Sequence, residues 1–557
     1  MNKAVIGLDF GTESARAVLV DATSGALLAS AQRAYPDGVI DEKLPHSATP
    51  LPPAWALQNS DDWLSALTAL VQTVSTQAGT DPSDIIGMGI DFTACTVLPV
   101  TATGAPLHTV KAFCERPHAW PKLWKHHAAQ AQADRINETA LARKQRWLAR
   151  YGGKISAEWL LPKALQMLEE DPELYAATDH FVEGADWVVW QLSGVLARNA
   201  CAAGYKATWH KGEGFPAADF LAALHPDFSG LYRDKVRGPV VPPGQLVGYL
   251  TPGWAKRLGL TTRTAVATPL IDAHAAVLGA GVTDAHTLVM MMGTSTCHLL
   301  MSERETLVEG ISGVVEDGIV PGLFGYEAGQ AGVGDLFAWF VKQALPPRYH
   351  EEARAQGVDL HRVLTQRARR QRPGQHGLLA LDWWNGNRST LVDANLSGLL
   401  LGATLETKPE DIYRALIEST AFGTRVIIEA FTQKGVAVEA VVAAGGLTEN
   451  ALLMQIYADV SGHVIRVANS PQASALGAAM LGATAAGKAA GGHDTLAQAA
   501  TTMAPASEQR YHPIAAHQRV YETLFTEYKR LYTFFGRGQN DVMKVLRALK
   551  SQSQKEC

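Results

Sequence analysis

The sequence has little of what marks several common function classes. Cysteine is scarce: Cys95, Cys114, Cys201, Cys297 and Cys557 are odd in number and form no CxxC pair. That is a reducing-compartment pattern and offers no thiolate metal site. An excess of one charge is missing too. A formal charge of −5 over 557 residues gives no reason to expect nucleic acid or a membrane surface as partner. The longest small-and-apolar tract, residues 473–487, is too short and alanine-rich to span a bilayer. No cationic start followed by an apolar run marks a signal peptide, so a cytoplasmic location is expected. GxxxxGK[ST] does not occur, since Gly152-Gly153-Lys154 lacks the leading glycine, and no GxGxxG opens a helix. A nucleotide, if bound, is held in another way. What is there is a globular composition, 47% hydrophobic and 18% charged, in a chain too long for one core. Two domains are expected.

The most informative stretch is Asp9-Phe10-Gly11-Thr12-Glu13-Ser14, between the apolar runs 4–8 and 15–20. These short, partly β-branched runs predict two strands joined by a tight turn. Gly11 would let the turn take angles closed to other residues, leaving backbone N–H groups and the Thr12 and Ser14 hydroxyls facing an anion. Asp9, at the end of a buried strand, suits a hydrated Mg²⁺ beside a phosphate. An ordinary Asp-Gly turn explains these residues equally well when they are taken alone. A second stretch favours the anion: the apolar run 287–292 leads into Gly293-Thr294-Ser295-Thr296-Cys297-His298. Two such hairpins suggest two similar halves facing one nucleotide.

Further candidates lie along the chain. Residues 35–59 are a proline-rich excursion, and a helix is expected from Asp61, capped by Ser60. A strand over 85–90 ends in Asp91-Phe92-Thr93-Ala94-Cys95-Thr96. Ligands gather at that edge of an α/β layer, although a polar turn accounts for the same residues. Trp120 to His127 pairs histidines with aromatics but lacks a third ligand at fixed spacing, so packing or a sugar-facing tryptophan is expected before a metal. Residues 137–145 read as a polar helix, broken at Tyr151-Gly152-Gly153-Lys154. Lys206, among small and aromatic residues, must reach solvent, an anion or a polyol; a ligand role and a structural salt bridge are equally open. A strand over 265–271, interrupted by Pro269, delivers Asp272-Ala273-His274, where Asp272 suits a general base or a helix N-cap. Glu327 stands in Gly325-Tyr326-Glu327-Ala328-Gly329-Gln330, and Asn385-Gly386-Asn387-Arg388 is a turn that could approach the site. The longest helix is expected over 408–434, with a capping box at Thr407-Lys408-Pro409-Glu410. A strand over 441–444 ends in Gly445-Gly446 and, four residues on, Asn450. Consecutive glycines would let a purine or ribose approach the backbone, or simply turn the chain into a helix. Residues 471–479 read as a close-packed helix start, 510–530 as helix, and 551–557 as a frayed tail.

Taken in order, these pieces resemble the FGGY group of carbohydrate kinases, and within it the bacterial kinases acting on L-ribulose. The most particular are Asp91 to Thr96, Tyr151 to Ser156, Gly204-Tyr205-Lys206, Asp272-Ala273-His274, Gly325 to Gln330 and Asp382-Trp383-Trp384-Asn385-Gly386. The resemblance covers essentially the whole chain. It implies an α/β fold, the duplicated actin-like, ribonuclease-H-like ATPase with two lobes around a cleft. Residues 1–262 would form a mainly sugar-binding lobe. Residues 263–557 would form a mainly ATP-binding lobe, with C-terminal helices packing back. It implies ATP and Mg²⁺ as cofactors, transfer to the 5-hydroxyl of L-ribulose, tolerance of other 2-ketopentoses, and a homodimer. Kinases for xylulose, D-ribulose or ribitol, and more remotely a non-sugar actin-like ATPase, are the alternatives. By the same resemblance Asp272 is the catalytic base, and Lys206, Glu327 and the Ala94 backbone join it in holding sugar. Asp9 stands on the metal side. Gly11 and Thr12, then Gly293, Thr294 and Ser295, form the phosphate hairpins, and Gly445, Gly446 and Asn450 the adenosine element. His126 departs from the group, where many relatives have an aspartate, which weakens a sugar role there. A near-normal carboxylate pKa would suffice for Asp272, because a largely dissociative transition state needs little early deprotonation.

Overall fold

The computed structural model describes residues 3–45, 47–470, 472–504 and 507–555. Strands β1 (Ala4–Phe10), β2 (Ser14–Asp21), β3 (Leu27–Ala34) and β4 (Ile85–Phe92) lie in the order β3-β2-β1-β4 within a seven-stranded sheet. β1 pairs antiparallel with β2 through the expected turn and parallel with β4. Both central strands are buried almost throughout, as their unbroken apolar sequence requires. β5 (Leu246–Tyr249) and β6 (Ala265–Ala267) extend the sheet past β4, and β7 (Leu270–Ile271) pairs with the end of β4. Helix α1 (Ser60–Ala78) packs Trp63, Leu67, Leu70, Val71 and Val74 against this layer. Its cap is Asn59, which accepts the Asp61 N–H, and not Ser60, whose buried hydroxyl meets His108 Nε2 at 2.7 Å.

Between β4 and β5 an insertion carries α2 (Leu160–Glu170) and α3 (Ala200–Ala207). The polar helix expected at 137–145 lies earlier, over Gln130–Ala142, because Gln132, Ala133, Ile136 and Ala140 form its buried stripe. Gly152 and Gly153 break the chain at φ 70° and 93°, angles that favour glycine. After β7 comes α4 (Asp272–Gly279) directly. A boundary at 262 thus falls just ahead of β6, a strand of the first sheet.

The second seven-stranded sheet holds β8 (Thr287–Met292), β9 (Thr296–Ser302), β10 (Gly313–Glu316), β11 (Phe324–Gln330), β12 (Ala440–Ala444), β13 (Ile465–Val467) and β14 (Arg510–Tyr511). Its order is β10-β11-β9-β8-β12-β13-β14. The run β11-β9-β8-β12 repeats the pairing of β3-β2-β1-β4, two antiparallel ladders and then a parallel one. The two halves are duplicates.

Helix α5 (Pro409–Gln433) is the longest, and Asp411 closes its first turn by accepting the Lys408 N–H at 2.8 Å. Glu410, expected in that role, is buried with Tyr349 instead. Helix α6 (Ala473–Ala486) returns to the first half and lies on β1, β4 and α4; Pro471, part of its expected start, is outside the described residues. The approach is backbone to backbone. A Cβ on Gly7 would stand 1.9 Å from the Ala475 carbonyl oxygen, one on Gly89 1.8 Å from that of Ala478, and one on Gly477 1.8 Å from that of Ala275. Side chains from both sheets, Val5 and Val18 with Val289 and Leu299, share one core with α4 and α6. The segment expected to be helical from 510 begins as β14 before α7 (Ala515–Gly536). The tail expected to fray is helical to the end of α8 (Val542–Lys555); Glu556 and Cys557 are outside the described residues. Among those described, no helix is long and apolar enough to cross a membrane.

Candidate active site

The carboxyl ends of β1, β4 and β7 stand side by side. Asp9 pairs in register with Asp91, and Asp91 with Leu270, two residues before Asp272. Asp272 is the first residue of α4, the cap position belonging to Ile271, and its Oδ1 accepts the Ala273 N–H at 2.6 Å. The capping alternative therefore falls away. Burial, and then the charge of Asp9, pushes the Asp272 carboxyl up to about 7, above the near-normal value that would already suffice. Burial also raises Asp9, whose Oδ2 lies 3.6 Å from Arg16 Nη1. Asp91 is fully buried; neither carboxyl oxygen accepts a hydrogen bond from a donor group among the described residues, and the carboxyl meets that of Asp9. Burial, with Asp9 and Asp272 adding to it, drives its carboxyl well upward.

These oxygens fit a magnesium ion. Mg²⁺ takes oxygen ligands and is usually held by one or two carboxylates, with water and phosphate completing the shell. Asp9 beside the orphaned carboxyl of Asp91 is such a set. Among the described residues, no three His, Cys, Asp or Glu side chains group into a protein-only metal site.

Opposite the aspartates, Lys206 of α3 meets Glu327 of β11 across the two halves. Lys206 Nζ lies 3.0 and 2.9 Å from the two carboxylate oxygens, and both residues are buried. Sequence reasoning left a ligand role and a salt bridge open, and the salt bridge exists. Burial opposes both charges, but the partners prevail: Lys206 is raised, and Glu327 is held down at about 2 by Lys206, Arg388 and His274. Trp159 and Tyr205 place their rings 5.7 and 5.8 Å from the ammonium. Arg388, from the Asn385-Gly386-Asn387 turn, donates Nη2 to Glu327 Oε1.

Ala94 lies in the loop after β4, half-buried, followed by Cys95 at φ 58°. Lys163 of α2 fastens this loop, its buried ammonium donating to the carbonyls of Cys95 (2.6 Å), Leu123 (2.9 Å) and Lys122 (3.1 Å). Next to Leu123, the Trp124 indole N–H donates to Thr12 Oγ1 at 3.0 Å, tying the insertion to the first hairpin. His126 is buried edge-on to Trp55, with Nε2 3.0 Å from Gln166 Oε1, and is a packing residue.

The hairpins share one construction. Gly11 N–H donates to Ser14 O at 3.0 Å, and Gly293 N–H to Ser295 O at 2.9 Å. Both glycine donors are used inside the turn, so anion contact falls to Thr12 and Thr294 onward. Neither glycine has a positive φ. The expectation that Gly11 supplies angles closed to other residues is not met; a Cβ there would instead crowd the Ser14 carbonyl oxygen at 3.1 Å. The Ser14 hydroxyl, expected to face an anion, accepts from Gln32 Nε2. Gly445 does require its freedom, with φ 100° and a Cβ position 2.4 Å from the Met292 carbonyl oxygen, just before Gly293. Gly446 has open space above it, as the approach of a flat ring demands. Asn450 caps the next helix, accepting the N–H groups of Leu452 and Leu453 and donating to Thr365 Oγ1 at 3.1 Å. One Nδ2 hydrogen of the carboxamide is left outside these contacts.

Sequence reasoning missed Arg16, Lys163 and the pairing of Arg388. Arg16 is one polar residue on an alternating strand. Lys163 looked like an ordinary helix lysine. Arg388 carried only the Asn-Gly turn before it as a signal.

The model of the N-terminal domain of the FGGY family of carbohydrate kinases matches residues 4–279, and that of the C-terminal domain residues 288–486. The chain is 52% identical over 549 residues to a ribulokinase of Geobacillus thermodenitrificans, covering 98% of this chain and 97% of that protein. It is likewise 52% identical over 549 residues to a ribulokinase of Anoxybacillus flavithermus, with the same coverage. The xylulose kinase of Rhodospirillum rubrum superposes with a TM-score of 0.77 at 22% identity, over 95% of this chain and 98% of that one, a likeness of fold. With the two domain models matched over residues 4–279 and 288–486 and curated relatives 52% identical over nearly the whole chain, the chain belongs to the FGGY family of carbohydrate kinases.

Proposed function

We propose that this protein transfers the γ-phosphoryl group of ATP to the 5-hydroxyl of L-ribulose, forming L-ribulose 5-phosphate and ADP. The substrate is supported by 52% identity over nearly the whole chain to proteins named ribulokinase. The reaction is supported by Asp272, which follows β7 beside the strand ends carrying Asp9 and Asp91, with its carboxyl raised to about 7. In this reading Asp272 takes the hydroxyl proton as the bond from sugar oxygen to phosphorus forms. The bond from phosphorus to the bridging oxygen breaks, and its electron pair leaves with ADP. Sugar is held mainly by the first half, through Lys206 and the Ala94 backbone, with Glu327 closing from the second. Nucleotide is held mainly by the second half, through the Gly293–Ser295 hairpin and the Gly445-Gly446 shelf. Mg²⁺ beside Asp9 would neutralise phosphate charge.

The test is ADP release with MgATP across L-ribulose, D-ribulose, D- and L-xylulose, ribitol, glycerol and no sugar. Highest turnover on L-ribulose is expected. Highest turnover on xylulose or ribitol would move the substrate within the family, and a flat panel with sugar-independent hydrolysis would overturn the reading. We also propose a homodimer, supported by the exposed apolar residues Val542, Val545, Leu546 and Leu549 of α8. Light scattering should give twice the chain mass, and a monomer at micromolar concentration would contradict it.

A further inference from the structure

Arg388 stands where the sugar end of the site meets the second phosphate hairpin. In the β9–β11 ladder, Cys297 faces Gly329 and Leu299 faces Glu327. Because side chains alternate along a strand, Glu327 and Gly329 share one face with Cys297 and Leu299, and Ser295 follows two residues before Cys297. Arg388 lies along that face. Its Nη2 donates to Glu327, its Nη1 lies 4.0 Å from Cys297 Sγ, and the absence of a side chain at Gly329 admits it, since a Cβ there would stand 3.2 Å from Nη1. The guanidinium therefore spans from Glu327 to Cys297, two residues past Ser295 of the second hairpin.

The Glu327 carboxylate faces two cations, Lys206 with both oxygens engaged and Arg388 on one of them, with His274 Nε2 at 3.6 Å. Among the described residues Glu327 is the one carboxylate in ion-pair contact with both Lys206 and Arg388, while Glu158 acts on Arg388 from farther away. A neutral sugar needs no second cation at this carboxylate, whereas the planar fork of a guanidinium matches phosphoryl oxygens. The Arg388 side chain is also 35% exposed, and a guanidinium carries five N–H donors, so one bond to Glu327 leaves donors for a ligand.

We propose that Arg388 is a catalytic residue that donates to the equatorial oxygens of the phosphoryl group during transfer, while Glu327 fixes its angle. This rests on the phosphoryl-transfer reading above. The guanidinium moves no proton. Asp272 takes the hydroxyl proton, the bond from sugar oxygen to phosphorus forms as that to the ADP oxygen breaks, and Arg388 meets the charge spread over the three remaining oxygens.

The experiment compares wild type, R388A, R388K and D272N for kcat, sugar KM and ATP KM, and repeats R388A with added guanidinium chloride below denaturing concentration. R388A is expected to lose about 10²-fold or more in kcat, the scale of a lost oxyanion donor, with both KM values changed only a few-fold. Free guanidinium should restore part of that loss, which a merely structural role would not allow. R388K keeps the charge but not the fork and should fall between, and it serves if R388A does not fold. Wild-type kcat in R388A or R388K, or a raised sugar KM with unchanged kcat, would overturn the proposal. Wild type that turns over no pentose in the same assay would overturn the parent reading as well, and only that result touches both.

Discussion

Replacing Asp272 with asparagine is expected to abolish most turnover while leaving nucleotide binding intact. Loss of a positioned general base removes roughly 10²- to 10⁴-fold in rate, whereas the nucleotide elements proposed above lie in the second half, on the hairpin after β8 and the turn after β12. A fluorescent ATP analogue should bind D272N within a few-fold of wild type. The pH dependence follows from the raised carboxyl. The base works only when ionised, so kcat/KM for sugar in wild type should fall as pH drops below about 7, and a bound Mg²⁺ beside Asp9 would move that limb downward. The stability sign is opposite. A carboxyl raised from 3.8 to about 7 in the folded state binds its proton more tightly there than when unfolded. Its contribution is therefore fully present below 3.8, is lost as pH rises through 7, and leaves ionised Asp272 as a cost at pH 8. D272N should then unfold at higher urea than wild type at pH 8. Wild-type turnover in D272N would remove Asp272 from the chemistry, and loss of turnover with a lowered urea midpoint would mean damage to the fold.

The second large effect is expected at Glu327. Neutralising it with glutamine leaves Lys206, itself buried, and Arg388 without their shared counter-charge. Breaking a buried ion pair from one side typically costs about 3–5 kcal/mol, so E327Q should show a clearly lower urea midpoint at pH 7. The double variant K206M/E327M should recover much of that loss, because no charge is then left buried in the pair and Arg388 can turn toward solvent. Neither variant should recover sugar binding. The acid limb gives an independent check. Glu327 is held at about 2 against an ordinary 4.5, so its stabilisation is complete above 4.5 and disappears as pH falls toward 2. Wild type should lose stability over that window more steeply than E327Q. A wild-type midpoint in E327Q at pH 7 would show that the pair adds nothing to folding.

Both predictions depend on residues that the sequence marked in different degrees. Asp272 was legible as a candidate because a strand-like run ending in Asp-Ala-His, with small residues around it, sets a carboxylate at a strand end, where a helix cap was the competing use. Glu327 and Lys206 were legible as anomalies, each a charge among residues that bury, yet their pairing joins α3 to β11 across 121 positions, and no local pattern spans that distance. The hairpins were legible as hairpins, but the use of their glycine N–H groups was not. Whether a turn offers its first N–H to a ligand or to its own carbonyl depends on backbone geometry that composition leaves open. Asn450 followed the same course, placed correctly at a helix start, with its side chain then engaged by the cap and by Thr365.

By itself, the sequence determined the two hairpins, the alternation of strand and helix around them and the aspartates at the strand ends, because each is a local matter of turn chemistry and apolar period. Only the tertiary structure decided the rest. It set α6 of the second half on β1 and β4 through glycines that leave no room for a Cβ, and it moved the strand of residues 265–267 into the first sheet. It also gathered Asp9, Asp91 and Asp272 into one corner, where burial raises all three and neighbouring carboxylates add to the rise at Asp91 and Asp272, and it brought Lys206 and Arg388 onto one carboxylate. The reason is common to all of these. Burial and charge depend on what lies within a few ångströms in space, and in a duplicated fold those neighbours come from opposite ends of the chain.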